Sequence, residues 1–171
     1  MEALKAKIRH VPDFPKQGIL FYDVTTLLRD PTGFRLAVET MAMPYRDRGI
    51  SAVVGIESRG FILGAAVADR LGAGFVPVRK LGKLPAGTVR ASYDLEYGSD
   101  SLEMHTDAIE SGQRVIIVDD LLATGGTSRA TVNLVKQVGG RVEGVAFLIE
   151  LVELNGRARL EGEEIMSVLK Y

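Results

Sequence analysis

The sequence predicts an α/β fold with an open, mainly parallel twisted sheet that carries helices on both faces. Continuous apolar runs such as Val115–Val118 are typical of strands buried on both faces of a parallel sheet. These runs alternate with segments whose apolar residues recur at helical spacing, and this alternation favours parallel strands joined by helices. At 171 residues the chain is expected to form a single domain, residues 1–171.

The individual elements follow from the same patterns. Apolar residues from Phe34 to Tyr45 recur at helical spacing and predict a helix, which Pro44 should kink or end. Gly72 is the expected stop of the next helix. In chain order, the predicted elements are a short helix at 2–9, a helix at 33–48, a strand at 52–56, a helix at 60–71, strands at 74–79, 102–105 and 115–119, a helix at 128–138, a strand at 142–151 and a short helix or loop at 153–161.

Two segments, 11–22 and 80–101, are expected to be irregular. Proline and glycine interrupt both, and neither shows a clear helical or strand period. The first is apolar enough to pack on the rest of the domain. A loop as long as the second is usually functional or mobile in a compact domain.

Composition excludes several classes of protein. A net charge of −1 gives no support to nucleic-acid binding through a basic face, and the absence of cysteine excludes disulfides and thiolate metal sites. The start, MEALKAKIRH, lacks the apolar stretch of a secretory signal. The longest apolar runs are far shorter than the ~18 residues that cross a membrane. We therefore expect a cytoplasmic protein without nucleic-acid or membrane partners.

The stretch 115–127, VIIVDDLLATGGT, indicates a site for a phosphorylated sugar. A buried strand is expected to end at Asp119 and Asp120, and a glycine-bearing turn then leads into a helix. The glycines let backbone N–H groups approach an anion, and the helix N-terminus favours negative charge. The stretch matches neither the Walker A loop nor the dinucleotide-binding G-x-G-x-x-G pattern. The alternative is an ordinary strand-to-helix turn with solvated acids, which the full run at the carboxyl end of a strand disfavours.

A second candidate anion site lies in GIESRGF, residues 55–61, at the equivalent end of a neighbouring predicted strand. Ser58 and Arg59 would offer a hydroxyl and a guanidinium. Arg79, Lys80 and Lys83 add a small cationic cluster that could stabilise a departing diphosphate. Alone, the segment with Ser58 and Arg59 favours a surface role, and the cationic cluster is equally compatible with solvated surface. Together with the turn at 123–127, they favour one loop for a 5′-phosphate and another for a diphosphate.

Four segments together resemble the type I phosphoribosyltransferases, and in particular their adenine-specific members. They are PDFPKQGILFYDVT (12–25), GIESRGF (55–61), RKLGKLP with ASYDLEYG (79–98) and VDDLLATGGT (118–127). The resemblance implies a small N-terminal hood, residues 1–25, and a long flexible catalytic loop, residues 80–101. It also implies the reaction of adenine with phosphoribosyl pyrophosphate (PRPP) to give AMP and diphosphate. The implied cofactor is Mg²⁺, held mainly by the substrate with no direct protein ligand, and the implied assembly is a homodimer.

The resemblance assigns the phosphate and sugar contacts. Asp119 and Asp120 would bind the ribose hydroxyls. The 5′-phosphate would lie in the turn formed by Ala123, Thr124, Gly125, Gly126 and Thr127. Ser58, Arg59 and Lys83 would face the diphosphate, with Arg79 or Lys80 reaching it across a dimer. A cis peptide bond between Glu57 and Ser58 is also implied.

The resemblance assigns the base site to the hood. Phe21 would stack on adenine, with Leu151 on the opposite face. Backbone atoms of Leu20 and Tyr22 would read the amine edge of the base, which opposes a 6-oxo purine. Some relatives carry Arg at the position of Tyr22, so the expectation there concerns the backbone. Glu96 in the long loop is the candidate catalytic residue for the purine proton.

Three alternatives remain at this point. A phosphoribosyltransferase acting on another base, such as hypoxanthine, xanthine or orotate, is disfavoured by the hood sequence. A PRPP-sensing regulatory protein of the same fold would need a nucleic-acid-binding module or a basic face, and this chain has neither residues to spare nor basic excess. An unrelated α/β domain would not be expected to carry all four segments.

Overall fold

The computed structural model of the chain describes residues 1–94 and 99–171. Its strands are β1 (Arg9–Pro12), β2 (Leu20–Asp23), β3 (Ala52–Ile56), β4 (Gly74–Lys80), β5 (Thr88–Asp94), β6 (Ser99–His105), β7 (Arg114–Leu122), β8 (Arg141–Glu150) and β9 (Ile165–Lys170). Its α-helices are α1 (Glu2–Lys5), α2 (Thr25–Arg29), α3 (Pro31–Ala42), α4 (Arg59–Leu71) and α5 (Gly126–Gln137). Short 3₁₀ turns cover Met43–Tyr45, Val152–Leu154 and Gly156–Leu160.

Among the described residues, seven strands form one open sheet in the order β5-β6-β4-β3-β7-β8-β9. The strands from β4 to β9 in that order are parallel, whereas β6 pairs antiparallel with both β4 and β5 and so closes one edge with a hairpin. The two remaining strands, β1 and β2, form a separate antiparallel hairpin near the N-terminus. The predicted open, mainly parallel sheet is confirmed.

Two apolar clusters cover the faces of the sheet, with α3 and α4 on one side and α5 on the other. The central strand β7 shows how the sequence produces this arrangement. Ile116 and Val118 belong to the cluster with α3 and α4, while Val115 and Ile117 belong to the cluster with α5. Since successive side chains of a strand point to opposite faces, only a continuous apolar run can bury both.

The helix boundaries have local causes. The Asp30 carboxylate accepts a hydrogen bond from the Gly33 N–H at 2.6 Å, and Pro31 occupies the first turn of α3. The predicted disruption at Pro44 is confirmed, because α3 ends at Ala42 and the chain continues as a 3₁₀ turn. The predicted stop at Gly72 is also confirmed, since this residue ends α4 with a φ of 66°.

Several element predictions were wrong. The segments expected to be irregular contain strands: β1 and β2 overlap 11–22, while β5 and the start of β6 lie within 80–101. The helix expected over 2–9 ends at Lys5, and β9 was not predicted. The hairpin strands β1, β2, β5 and β6 are short or carry several polar residues, and these obscure the period-two pattern by which a strand is recognised.

Within the part of the chain that the structure describes, no helix has the length and apolar character needed to cross a membrane.

Candidate active site

The carboxyl ends of β3 and β7 lie side by side and define the candidate site. The two strands pair in parallel, with Gly55 opposite Val118. The residues that come after Gly55 and after Val118 therefore lie next to one another. They line a cleft of about 730 Å³. The cleft brings together nine of the predicted residues: Ser58, Arg59, Arg79, Lys80, Lys83, Asp119, Asp120, Ala123 and Thr127. Such a position, at the carboxyl ends of parallel strands, is where open α/β sheets bind ligands.

The acid pair lies within β7 and not after it, because the strand continues to Leu122. This corrects the predicted strand end at Asp119. Asp119 Oδ1 accepts a hydrogen bond from the Asp120 N–H at 2.9 Å, and Asp120 Oδ2 pairs with Arg59 Nε at 2.8 Å. Because the strand extends past both acids, the sheet fixes their backbone, and both residues line the cleft.

Burial raises the pKa of both acids. Repulsion from Asp120 raises the pKa of Asp119 further, well above its ordinary value. At Asp120 the rise caused by burial is opposed by the Arg59 guanidinium. The pair is therefore electrostatically unfavourable when both groups are ionised, and hydrogen-bond donors from a ligand would relieve it.

The start of α4 packs directly against the acid pair. A Cβ added at Gly60 would lie 2.8 Å from Asp119 Oδ1 and 3.0 Å from the Val118 carbonyl oxygen, so this position has no room for a side chain. The peptide bond between Glu57 and Ser58 is cis, as the resemblance implied. Ser58 and Arg59 line the cleft from the start of α4.

The turn between β7 and α5 has a geometry suited to binding an anion. Gly125 has a φ of 81°, in the left-handed region, and α5 begins at Gly126 without a side-chain cap. The first N–H groups of a helix have no partner within the helix and attract anions. A Cβ at Gly125 would collide with the Gly156 carbonyl oxygen, and one at Gly156 would collide with that of Ala123.

Gly156 is therefore a site residue that sequence reasoning missed. It supports the turn from the 3₁₀ segment after β8, about thirty positions away in the chain. A glycine in a short irregular segment carries no distinguishing pattern, so only the three-dimensional packing reveals its role.

The cationic cluster is organised by Glu57, which sequence reasoning also passed over although it lies inside GIESRGF. Its carboxylate accepts hydrogen bonds from Arg79 Nε at 2.8 Å, Lys83 Nζ at 3.0 Å and the Lys80 N–H at 3.1 Å. Burial acts to raise the pKa of Glu57, but Arg79, Lys83 and the Lys80 N–H outweigh it and leave the pKa lowered. The cations are thus held at the rim of the cleft by a buried anion.

The predicted base-binding residues lie in and near the N-terminal hairpin, outside the walls of this cleft. The Phe21 ring approaches it, with its centroid 5.5 Å from the Arg59 guanidinium carbon. Phe14 packs edge-on against Phe21 at 5.1 Å. Tyr22 instead packs against Tyr171, with ring centroids 4.2 Å apart.

The other predicted residues are placed as follows. Leu20 is exposed on β2 and Leu151 is half-buried just after β8. Thr124, Gly125 and Gly126 form the turn at the end of the cleft and not its wall. Glu96 falls outside the described residues.

The comparisons with known proteins agree with this geometry. The family model described as a phosphoribosyl transferase domain matches residues 23–164. An adenine phosphoribosyltransferase from Acidobacterium capsulatum is 60% identical over 170 residues, covering 99% of this chain and 94% of the relative.

Solved structures give the same result. Adenine phosphoribosyltransferase from Rhodothermus marinus has a TM-score of 0.95 and 56% identity, covering 99% of this chain and 97% of that one. The Saccharomyces cerevisiae enzyme, solved with D-2,5-dideoxy-2,5-imino-altritol 1,6-bisphosphate and adenine, has a TM-score of 0.93 and 40% identity, covering 98% of this chain and 97% of that one. The chain therefore belongs to the phosphoribosyltransferase family and, within it, to the adenine phosphoribosyltransferases.

Proposed function

We propose that this protein transfers the 5-phosphoribosyl group from PRPP to N9 of adenine, giving AMP and diphosphate. The observation that carries the proposal is a single cleft in which the acid pair Asp119 and Asp120 lies between two features suited to anions. One is the turn at the start of α5, and the other is the cationic rim formed by Arg79, Lys80 and Lys83. PRPP has the matching order of groups, with a phosphate, a sugar and a diphosphate.

Asp119 and Asp120 are proposed to accept hydrogen bonds from the ribose 2′ and 3′ hydroxyls. Their raised pKa values reflect burial without enough donors, and the two hydroxyls would supply those donors. The first turn of α5 would hold the 5′-phosphate through the N–H groups of Gly126 and Thr127. The sugar would then be fixed at both its ring and its phosphate.

The reaction is proposed to proceed by loss of diphosphate from C1′, with positive charge developing on the ribose ring. Cations that touch the departing diphosphate stabilise that charge separation. Ser58 and Arg59 approach the same region from α4, while Arg79, Lys80 and Lys83 form its rim. Glu57 would keep this rim in place.

The donor set in the cleft fits a Mg²⁺ ion that arrives with PRPP. Among the described residues, no three His, Cys, Asp or Glu side chains are placed to hold a metal by themselves. Mg²⁺ is usually bound through substrate phosphates, water and one or two carboxylates, so it would be held mainly by PRPP and would help neutralise the leaving diphosphate.

The base site is proposed to lie under the N-terminal hairpin. Phe21, which already approaches Arg59, would stack on adenine, and Leu151 would cover the other face. Backbone groups of Leu20 and Tyr22 would accept from the exocyclic amine and donate to N1. Hypoxanthine and guanine reverse this pattern at the six position and would leave buried polar groups unpaired.

The wider setting is proposed from the family resemblance. We propose a homodimer in the cytoplasm, with adenine, PRPP, AMP and diphosphate as its small-molecule partners. Arg79 and Lys80 line the cleft of their own chain here. Light scattering of the purified protein would test the dimer.

One assay tests the function. The protein is incubated with PRPP, Mg²⁺ and adenine, hypoxanthine, guanine or orotate, and nucleotide and diphosphate are measured. Rapid formation of AMP, with little product from the other bases, is expected. Conversion of hypoxanthine or guanine in preference to adenine would contradict the base assignment, and PRPP binding without turnover would indicate a regulatory protein.

Glu96 is proposed to handle the purine proton during attack by N9. Replacing Glu96 by Gln should lower the single-turnover rate by about 100-fold or more, because a positioned acid-base group contributes at least that much. The matched control is Glu110→Gln, an exposed acid in the turn before β7. A Glu96→Gln protein with a near-normal single-turnover rate would remove Glu96 from this role.

A further inference from the structure

Tyr93 lies where two parts of the cleft meet. It belongs to β5, which packs against α5, and its side chain is half-buried. The ring lines the main cleft and also a smaller cavity of about 200 Å³ beside the first turn of α5. Neither the family resemblance nor the proposed mechanism gives this residue a role.

On one side, the Tyr93 hydroxyl is tied to the cationic rim. It donates a hydrogen bond to Asp100 Oδ2 at 3.2 Å, and the same oxygen pairs with Lys80 Nζ at 2.9 Å. The sheet order explains this contact, since β6 lies between β5 and β4 and places Asp100 directly opposite Tyr93. The three side chains therefore form a line across three strands.

On the other side, the phenol faces the start of α5. Thr127 lines the same cleft from the first turn of that helix. Gly126 of the same turn lines the smaller cavity together with Tyr93. The Tyr93 ring therefore lies beside the first turn of α5, while its hydroxyl donates to Asp100.

We propose that Tyr93 is a positioning residue for PRPP: its hydroxyl is held by the Asp100–Lys80 pair and its ring lies beside the first turn of α5, so that it fixes the spacing between the diphosphate end and the 5′-phosphate end of the cleft. This inference rests on the proposed function. A ligand that occupies both ends depends on the spacing, whereas a ligand that occupies only the 5′-phosphate end does not. PRPP is of the first kind and AMP is of the second.

The test is the variant Tyr93→Phe, which keeps the ring and removes the hydroxyl. Calorimetric titration with PRPP and Mg²⁺ is expected to show an affinity about five- to tenfold lower than that of the wild type, the loss that one or two weakened hydrogen bonds produce. The affinity for AMP is expected to change by less than about twofold, which is within the range of a neutral substitution. A structural defect in the turn would weaken both ligands alike.

The matched control is Ser92→Ala. Ser92 is the neighbour of Tyr93 and its hydroxyl bonds to that of Ser101 at 2.8 Å across the same hairpin. Removing this bond should leave the affinities for PRPP and AMP unchanged. If Ser92→Ala weakened PRPP as much as Tyr93→Phe did, or if Tyr93→Phe weakened AMP as much as PRPP, loosening of the hairpin would explain the result and the inference would be overturned.

A second variant, Asp100→Ala, breaks the same bridge from its other end. In that background, Tyr93→Phe should lower the PRPP affinity by less than about a further twofold, because residues of one network are not additive. A full additional loss would contradict the bridge. The two proposals can fail separately. If the wild-type protein binds PRPP but makes no AMP, only the proposed function is overturned. If the wild-type protein is active and Tyr93→Phe leaves the PRPP affinity unchanged, only the inference about Tyr93 is overturned.

Discussion

At the scale of single residues, the half-buried Asp119 and the buried Asp120 lower the stability of the free protein and favour ligand binding. Each would favour ionisation in water, but burial works against ionisation at both acids and the Asp120 charge works against it at Asp119. The Arg59 guanidinium opposes the rise in pKa at both acids without cancelling it. Carboxylates that lack hydrogen-bond donors in the free protein can bind the donors of a ligand at defined positions. The same arrangement makes the free protein less stable than an uncharged equivalent would be.

Asp119→Asn should therefore stabilise the free protein and impair the reaction. The folded-state pKa of Asp119 is raised, so the wild type loses stability as the pH rises above the ordinary carboxyl pKa of 3.8, and the variant does not. We expect the thermal midpoint of the variant to exceed that of the wild type by roughly 2–5 °C at pH 8. The difference should shrink towards pH 4, and the affinity for PRPP should fall.

The measurement is differential scanning calorimetry at both pH values, together with the AMP-forming assay. Asp107→Asn serves as the control, because Asp107 is exposed and lies outside the cleft. A less stable Asp119→Asn protein at pH 8 would show that the acid pair is already well satisfied without ligand.

At this scale the sequence identified most of the polar groups that line the cleft. It did not identify the residues that hold these groups in position. Asp119, Arg59 and the cations at 79–83 lie at or just beyond the carboxyl ends of buried strands, so their meeting at one edge of the sheet was predictable. The pairing of Glu57 with Arg79 and Lys83 was not, because it joins positions more than twenty residues apart. Such contacts depend on how β3 and β4 align, which a single sequence does not specify.

At the scale of elements, the junction between β7 and α5 depends on two glycines from different segments. Gly125 adopts a left-handed backbone conformation, and its close approach to the Gly156 carbonyl oxygen leaves no room for a side chain. The sequence predicted the turn from the glycines that precede the helix, but it could not reveal the second constraint. The strand β5 and the start of β6 were missed for a related reason, since they become recognisable only when paired, whereas the end of β6 was predicted as the strand at 102–105.

Gly125→Ala should disrupt this junction. The new Cβ would meet both an unfavourable φ and the Gly156 carbonyl oxygen, so we expect an unfolding free energy lower by more than about 1 kcal/mol and loss of most PRPP binding. Urea unfolding and calorimetric titration with PRPP measure the two effects.

Gly112→Ala separates the two constraints. Gly112 has a φ of 83°, close to that of Gly125, but nothing lies within 4 Å of the position that a Cβ would occupy there. This variant should lose about 1 kcal/mol of stability from the backbone alone and keep normal PRPP affinity. If both variants bound PRPP equally well, the packing of the turn on Gly156 would not matter for the site.

At the scale of the whole molecule, the N-terminal hairpin and the sheet have to meet for the proposed base site to exist. Sequence periodicity predicted the sheet and its covering helices because burial on both faces leaves a direct apolar pattern. It did not predict the position of the hairpin, which depends on long-range contacts such as that of Phe21 with Arg59. Within the N-terminal part of the chain, Asp23 at the end of β2 connects the hairpin to the start of α2.

The connection through Asp23 should make stability depend on pH in a defined window. Its carboxylate accepts hydrogen bonds from the Thr25 N–H at 2.9 Å and from Arg9 Nη2 at 2.6 Å, which links β1 to the start of α2. The hydrogen bonds from Thr25, followed by Arg9, lower the pKa of Asp23 to about 2. A lowered folded-state pKa stabilises the fold above the ordinary value of 3.8, and this contribution is lost as the pH falls towards about 2.

Asp23→Asn should accordingly lower the unfolding free energy by roughly 1–2 kcal/mol at pH 7, after allowance for the exposed Arg9 partner. The difference from the wild type should narrow below pH 4 and nearly vanish at pH 2, because the wild-type carboxyl is then increasingly protonated. Denaturant unfolding at pH 7, 4 and 2 measures it, with Asp107→Asn as the exposed control. The same loosening of the hairpin should raise the KM for adenine more than the KM for PRPP, since only the base is proposed to lie beneath β2. A pH-independent stability loss, or equal changes in the two KM values, would mean that Asp23 supports the fold without coupling the hairpin to the base site.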